Sequence, residues 1–263
     1  MLVEPRSDTP LLVDRRNIPF SLDKGIAHRA ALGVIVLATD HTLEHEWRLM
    51  LTGLPGVGYY QSRIWNSASI TPESLAEMER DLAYATKLIR PGERIDAMAY
   101  ACTSGAMVIG DDVVAARIHE QRPGIPTTAP LAAAVAGLHA LGTRRVALLT
   151  PYVDRINRMM RNYMEERGLS VPVMGSFNHE NDNEVARIDA ASLRTAVLEL
   201  GGHPAVDAVF VSCTSLRLVE QIEQLEAELG KRVTSSNHAL AWHTLRLAGY
   251  REPIKGFGAL LRT

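Results

Sequence analysis

Short apolar runs alternate with longer stretches of helical period along most of the chain. Leu32–Ala38 is short and apolar throughout, the mark of a strand buried on both faces. Thr42–Thr52 follows with Leu, Glu and Trp at helical spacing, and Val57–Ile64 reads as the next strand. Thr71–Ile89 has a good helical period, with Thr71 and Pro72 placed as N-cap and first helical residue. A strand at Asp96–Ala101, a helix at Asp111–Gln121 and a short strand at Ile125–Thr128 complete the series. The pattern then starts again with a helix at Leu131–Leu141, closed by Gly142 in a left-handed position, and a strand at Arg145–Thr150. Helix Ile156–Arg167, strand Val171–Phe177, helix Ala190–Leu200 and strand Asp207–Ser212 come next. Helix Leu216–Leu229, strand Val233–Ser235 and helix Ala239–Leu247 end the chain. Such alternation predicts an α/β protein with mainly parallel sheets and helices on both faces.

The two series are related. IDAMAYACTSG spans Ile95–Gly105 and VDAVFVSCTSL spans Val206–Leu216, each an apolar residue, Asp-Ala, a buried-strand run and then Cys-Thr-Ser. GVIVLATDHT (Gly33–Thr42) corresponds in place to RVALLTPYVD (Arg145–Asp154), and GIPTTAP (Gly124–Pro130) to GKRVTSSNHA (Gly230–Ala239). Two pseudo-symmetric α/β domains are expected, with the carboxyl ends of their sheets facing one shared cleft.

Composition narrows the function. Across 263 residues, 46% are hydrophobic and 22% charged, with a formal charge of -2 and no basic block, which excludes specialised nucleic-acid binding. No apolar run reaches membrane-span length and no secretory signal opens the chain, so a cytoplasmic protein with no membrane partner is expected. Met1–Arg29, interrupted by Pro5, Pro10 and Pro19, reads as an irregular leader.

Cys102 and Cys213 are the chain's two cysteines, and each falls where a buried strand meets a polar loop. They form no zinc knuckle and no Cys-x-x-Cys pair, which argues against metal and redox roles. Thr103, Ser104, Thr214 and Ser215 follow them and offer hydroxyl and N–H donors to carboxylate oxygens. A thiolate and a thiol on opposite walls can remove a proton from one face of a carbon and return it to the other, which is racemisation. One thiolate can equally add to a double bond while the other thiol manages the proton, which is cis–trans isomerisation. Cysteine placement leaves both routes open. A decarboxylase needs one proton donor, so a matched pair exceeds its requirement. A non-catalytic protein that binds small acids in the same cleft is the alternative outside enzymes. His41 and His45, with Glu44 and Glu46, do not make a complete zinc motif, and no metal or cofactor is expected.

At VIVLATDHT, YACTSGAMVIGDD, RVALLTPYVD, FVSCTSLR and VTSSNHALAWHTLRLAG the chain resembles the aspartate/glutamate racemase superfamily. The likeness is greatest to the branch of maleate cis-trans isomerases and ectoine-utilisation isomerase-like proteins. The resemblance implies cofactor-independent chemistry on a small carboxylate, with Cys102 as nucleophile or first base and Cys213 as the opposing acid. It implies substrate contacts from Tyr152, in TPY, and from Asn183, with Asn181 as a rival. It also implies a homo-oligomer and a chain that returns to its first domain, giving a leader at 1–29, a first domain at 30–130 plus 240–263 and a second at 131–239. Asp40 stands where the maleate isomerase branch commonly carries Asn. An ionised Asp repels a carboxylate and suits an ammonium or amide, which favours a racemase or isomerase of an amino-acid-like carboxylate over a maleate isomerase. Asp40 could instead orient His41, itself a candidate substrate contact, or cap the helix beginning near Thr42.

Overall fold

The computed structural model describes residues 12–263; the first eleven positions of the expected leader lie outside the described residues. The remainder of that leader carries no helix or strand, and Leu12, Phe20, Leu22 and Ile26 along it are exposed.

Two four-stranded parallel sheets form the body. The first half contains β1 (Ala30–Leu37), α1 (Leu43–Leu51), β2 (Val57–Ile64), α2 (Pro72–Ala76), α3 (Leu82–Leu88), β3 (Ala97–Ala101), α4 (Thr103–Ile109), α5 (Asp111–His119) and β4 (Thr127–Thr128). The helix α6 (Pro130–Ala140) leads to β5 (Arg145–Thr150), α7 (Asp154–Glu166), β6 (Ser170–Ser176), α8 (Asp182–Val185) and α9 (Ala190–Gly202). Then come β7 (Ala208–Val211), α10 (Ile222–Leu229), β8 (Arg232–Ser235) and α11 (Ser236–Leu247). The strand orders are β2-β1-β3-β4 and β6-β5-β7-β8, so the second sheet repeats the topology of the first. The expected pseudo-symmetric two-sheet α/β fold is the observed one.

Burial explains why these runs are strands. Every residue of β1, β3 and β7 is buried, as the unbroken apolar runs require of strands covered on both faces. In each sheet the chain moves from the first strand to one neighbour and then crosses to the other. The loops leaving β1 and β3, and those leaving β5 and β7, therefore diverge and open a crevice at the carboxyl ends. The equivalent helices α6 and α11 pack on one another, and α11 also packs on α1 and β3, so the end of the chain returns to the first sheet.

Several expected elements differ. The helix expected across Thr71–Ile89 starts as expected, with Thr71 and Ser74 forming a reciprocal cap, but winds as a 3-10 turn over Glu77–Asp81 before α3. The tighter turn lies at Met78, whose sulfur accepts the Tyr100 hydroxyl at 3.5 Å, so a tertiary contact sits at the point where the local period breaks. The helix α4 was not expected. Cys102 serves as its N-cap, with Sγ accepting the Gly105 N–H at 3.2 Å. The helix expected from Leu216 begins only at Ile222, after a 3-10 turn at Val219–Gln221. The N–H groups of Leu218 and Val219 that precede it donate to Glu46 of α1, at 2.7 and 2.8 Å.

Candidate active site

Both cysteines stand at equivalent strand ends, Cys102 directly after β3 and Cys213 two residues after β7. Both line one small cavity between the sheets. Thr103, Ser104 and Thr214 line it beside them, and Tyr152, from the loop after β5, forms another wall. Asn66, Ser67, Ser69, Ile70, Ser74 and Leu75 close it from the segment between β2 and α2 and from α2 itself. That segment is fastened to the second half: Ile70 N–H donates to Glu180 O at 3.0 Å, and Asp182 N–H donates to Ala68 O at 3.0 Å. With this cover in place the thiols are 4% and 5% exposed.

The cysteine loops are held by bonds that cross between the halves. Ser236, at the start of α11, accepts the Thr103 hydroxyl at 2.8 Å and the Cys213 N–H at 3.0 Å, which ties the two loops to one oxygen. The Thr42 hydroxyl donates to Ser215 O at 2.8 Å. Asn237 donates through Nδ2 to Thr214 O at 2.8 Å and to Glu46 Oε2 at 2.7 Å. Cys213 has φ of 127°, a conformation that L residues rarely adopt and that persists only where surrounding bonds over-determine it. At the other loop, Gly105 makes room for sulfur: a Cβ there would stand 2.8 Å from Cys102 Sγ and 2.9 Å from the Tyr100 hydroxyl.

Both thiols are pushed up to about 12. Burial is the largest cause in each, and the negative Asp182 carboxylate adds to it. The Gly105 N–H, Ser104 and Tyr100 act in the opposite direction on Cys102. The Tyr152 hydroxyl and the Ser215 N–H do so on Cys213. Tyr152 is itself held well above the ordinary tyrosine range by burial, reinforced by both thiols, and so is a hydroxyl donor. The resting pair is therefore two neutral thiols.

The other residues singled out from the sequence take different places. Asp40 is buried but does not line the cavity; its Oδ1 accepts the N–H groups of Thr42 and Leu43, both at 2.8 Å, and so caps α1. Burial raises its carboxyl to about 6 against those bonds and the nearby Thr214 hydroxyl. His41 is exposed, and its Nε2 pairs with Asn183 Oδ1 at 3.1 Å, outside the cavity lining. Asn181 caps α8 by accepting the Asn183 and Glu184 N–H groups. The residue between them, Asp182, is the one that faces the cavity. It accepts the Ser215 hydroxyl at 2.9 Å and that of Thr39. Among the described residues, no three His, Cys, Asp or Glu side chains converge as a metal site, and no helix is long and apolar enough to cross a membrane.

Asp182 and Asn66 were not anticipated from the sequence; Ser236, at a strand end, was legible there as a cleft or helix-start residue, and Glu46 only as part of an incomplete metal motif. Asp182 carried a signal, since the polar run HENDNE follows β6 at the cleft end, but its neighbours were equally polar. Tyr152 is positioned by further unanticipated groups: its carbonyl accepts from Asn157 Nδ2 at 2.7 Å and from the Ser176 hydroxyl.

A family model described as arylmalonate decarboxylase matches residues 68–261. The chain is 32% identical over 198 residues to an arylmalonate decarboxylase of Bordetella bronchiseptica, covering 73% of this chain and 81% of that protein. It is 27% identical over 240 residues to a maleate isomerase of Nocardia farcinica, covering 88% and 95%. Among solved structures, a cysteine-to-serine variant of the Nocardia farcinica maleate cis-trans isomerase, carrying a covalently bound succinylcysteine intermediate, superposes with a TM-score of 0.77. It is 25% identical, over 89% of this chain and 98% of that one.

Proposed function

Because this chain belongs to the arylmalonate decarboxylase family, in the branch of the aspartate/glutamate racemase superfamily shared with maleate isomerases, we propose that it isomerises a short cis-unsaturated carboxylic acid to its trans form. Maleate is the reference substrate. The observation that carries this reading is the pair of thiols, at equivalent ends of matched strands, lining one cavity. Decarboxylation needs one proton donor and leaves the second cysteine without a task. An amino-acid-like substrate would call on Asp40, but Asp40 lies outside the cavity lining and its Oδ1 caps α1.

In this mechanism Cys102, as thiolate, adds to one olefinic carbon. The C–S bond forms as the π bond breaks, and the Cys213 thiol gives its proton to the neighbouring carbon. The saturated adduct rotates about the new single bond. Cys213 then takes a proton back, the C–S bond breaks, and the double bond returns in the trans form. No atom is lost and no electron is transferred to another group. Thr103, Ser104 and Thr214 supply donors for the charge that develops on the carboxylate. The adduct has the same character as the succinylcysteine in the solved relative.

Incubation of the protein with maleate should yield fumarate, followed by proton NMR. Absence of fumarate, together with release of carbon dioxide from an arylmalonate, would favour decarboxylation instead. The rate also has a defined pH dependence. Both free-enzyme thiols lie near 12, so the reactive thiolate is a minor species that grows about tenfold per pH unit below that value. A plot of log kcat/KM should therefore climb with a slope near one from about pH 6 to 9. A plateau reached by pH 7 would contradict two neutral resting thiols.

A further inference from the structure

Among the described residues, none that lines the cavity offers a positive counter-charge for a dianion. Asp182 is the single acid among the described residues that line it, and none of those residues is Lys, Arg or His. Arg63, on β2, commits its guanidinium to the carbonyls of Leu37 and Asp40, at 2.6 and 3.2 Å, and to Glu44. Asp182 is 6% exposed, and each of its oxygens accepts one hydroxyl, from Ser215 and from Thr39. A carboxylate offers about four lone-pair sites, so roughly two stay open for a ligand. A second carboxylate placed there would meet like charge in a site with little water to screen it. An N–H group would instead find an acceptor already fixed in position.

We propose that Asp182 selects a substrate whose far end carries an amide rather than a free carboxylate: the half-amide of a cis-unsaturated diacid. This rests on the isomerase reading and names its substrate class. A half-amide keeps a carbonyl conjugated at both ends of the double bond, so it remains open to thiolate addition. The Thr103 hydroxyl is committed to Ser236 and that of Thr214 lies toward Ala101 O and Asp40, so its one carboxylate is matched by the Ser104 hydroxyl and the backbone N–H groups of the two cysteine loops, and its amide N–H groups by Asp182.

The experiment compares maleate with maleamate, its half-amide, by NMR. The wild-type protein should show a kcat/KM for maleamate at least about tenfold above that for maleate, because a site built to accept a donor leaves its acceptor unpaired with the diacid. In Asp182→Asn the side chain gains an N–H donor and loses its charge, so the ratio should fall by at least about tenfold toward maleate. An active Asp182→Asn protein with an unchanged ratio would overturn the proposal. Should that variant fail to fold, calorimetry on the wild-type protein with the saturated analogues decides. Succinamate should bind more tightly than succinate, and the reverse order or equal affinity would overturn the proposal. If neither cis acid is isomerised by either protein while succinamate still binds better, the isomerase reading falls and the recognition role of Asp182 stands.

Discussion

Cys102→Ser and Cys213→Ser should each lower kcat/KM for the isomerised acid at least about a thousandfold, and for different reasons. A serine hydroxyl at position 102 is a far weaker nucleophile than a thiolate, so no adduct forms. At position 213 it removes the acid that protonates the second carbon. Both variants should fold. Cys102 Sγ accepts one N–H, from Gly105 at 3.2 Å, and Cys213 Sγ one from Ser215 at 3.4 Å, and a hydroxyl oxygen can accept each. The two variants are separable by intact mass after incubation with substrate: adduct mass is expected only where Cys102 is retained. Single variants that both keep more than about a tenth of wild-type turnover would remove the two-thiol mechanism.

Glu46→Ala should destabilise the protein by about 3–5 kcal/mol in urea unfolding, because it strips the acceptor from several buried donors at once. Glu46 is 2% exposed and ties α1 to the second half through the Leu218 and Val219 N–H groups and to α11 through Asn237. Each orphaned buried N–H costs about 1–3 kcal/mol. A measured loss under about 1 kcal/mol would mean that water or a rearranged turn replaces the carboxylate. Burial raises the Glu46 carboxyl to about 7, with a further push from Asp40, against the bonds that favour its charged form. The folded state thus holds this proton more tightly than the unfolded chain. The stability this contributes is fully present below the ordinary glutamate range and is lost as pH rises through about 7. Wild-type Tm should consequently fall more between pH 5 and pH 8 than that of Glu46→Gln, which cannot titrate. Equal falls in the two proteins would place the pH dependence elsewhere.

Much of the fold was legible because its signals are local. A run such as LGVIVLA can be a strand buried on both faces without reference to any partner, and Thr71-Pro72 marks a helix start through its own backbone geometry. Gly142 ends α6 with φ of 72°, as its position after a helical run required. The duplicated Cys-Thr-Ser segments showed that two thiols occupy equivalent strand ends, and the order of strands and helices implied that those ends open on a cleft.

Polar side chains near the cleft were less legible. Asp40 and Asp182 both follow strands at the cleft end, yet Asp40 turns back to cap α1 while Asp182 faces the thiols. Their local sequences do not separate these fates. Asp182 is held by Thr39 and Ser215, residues distant along the chain, and Glu46 acquires its role only where Leu218, Val219 and Asn237 meet it. The apolar period, the turns and the paired cysteines thus followed from the sequence by itself, since backbone conformation and burial preference act over a few residues. Which acid faces the two sulfurs, which one caps, and which one joins the halves depended on the packing of the two sheets, because a buried carboxylate is stabilised only by the donors that the folded chain brings to it.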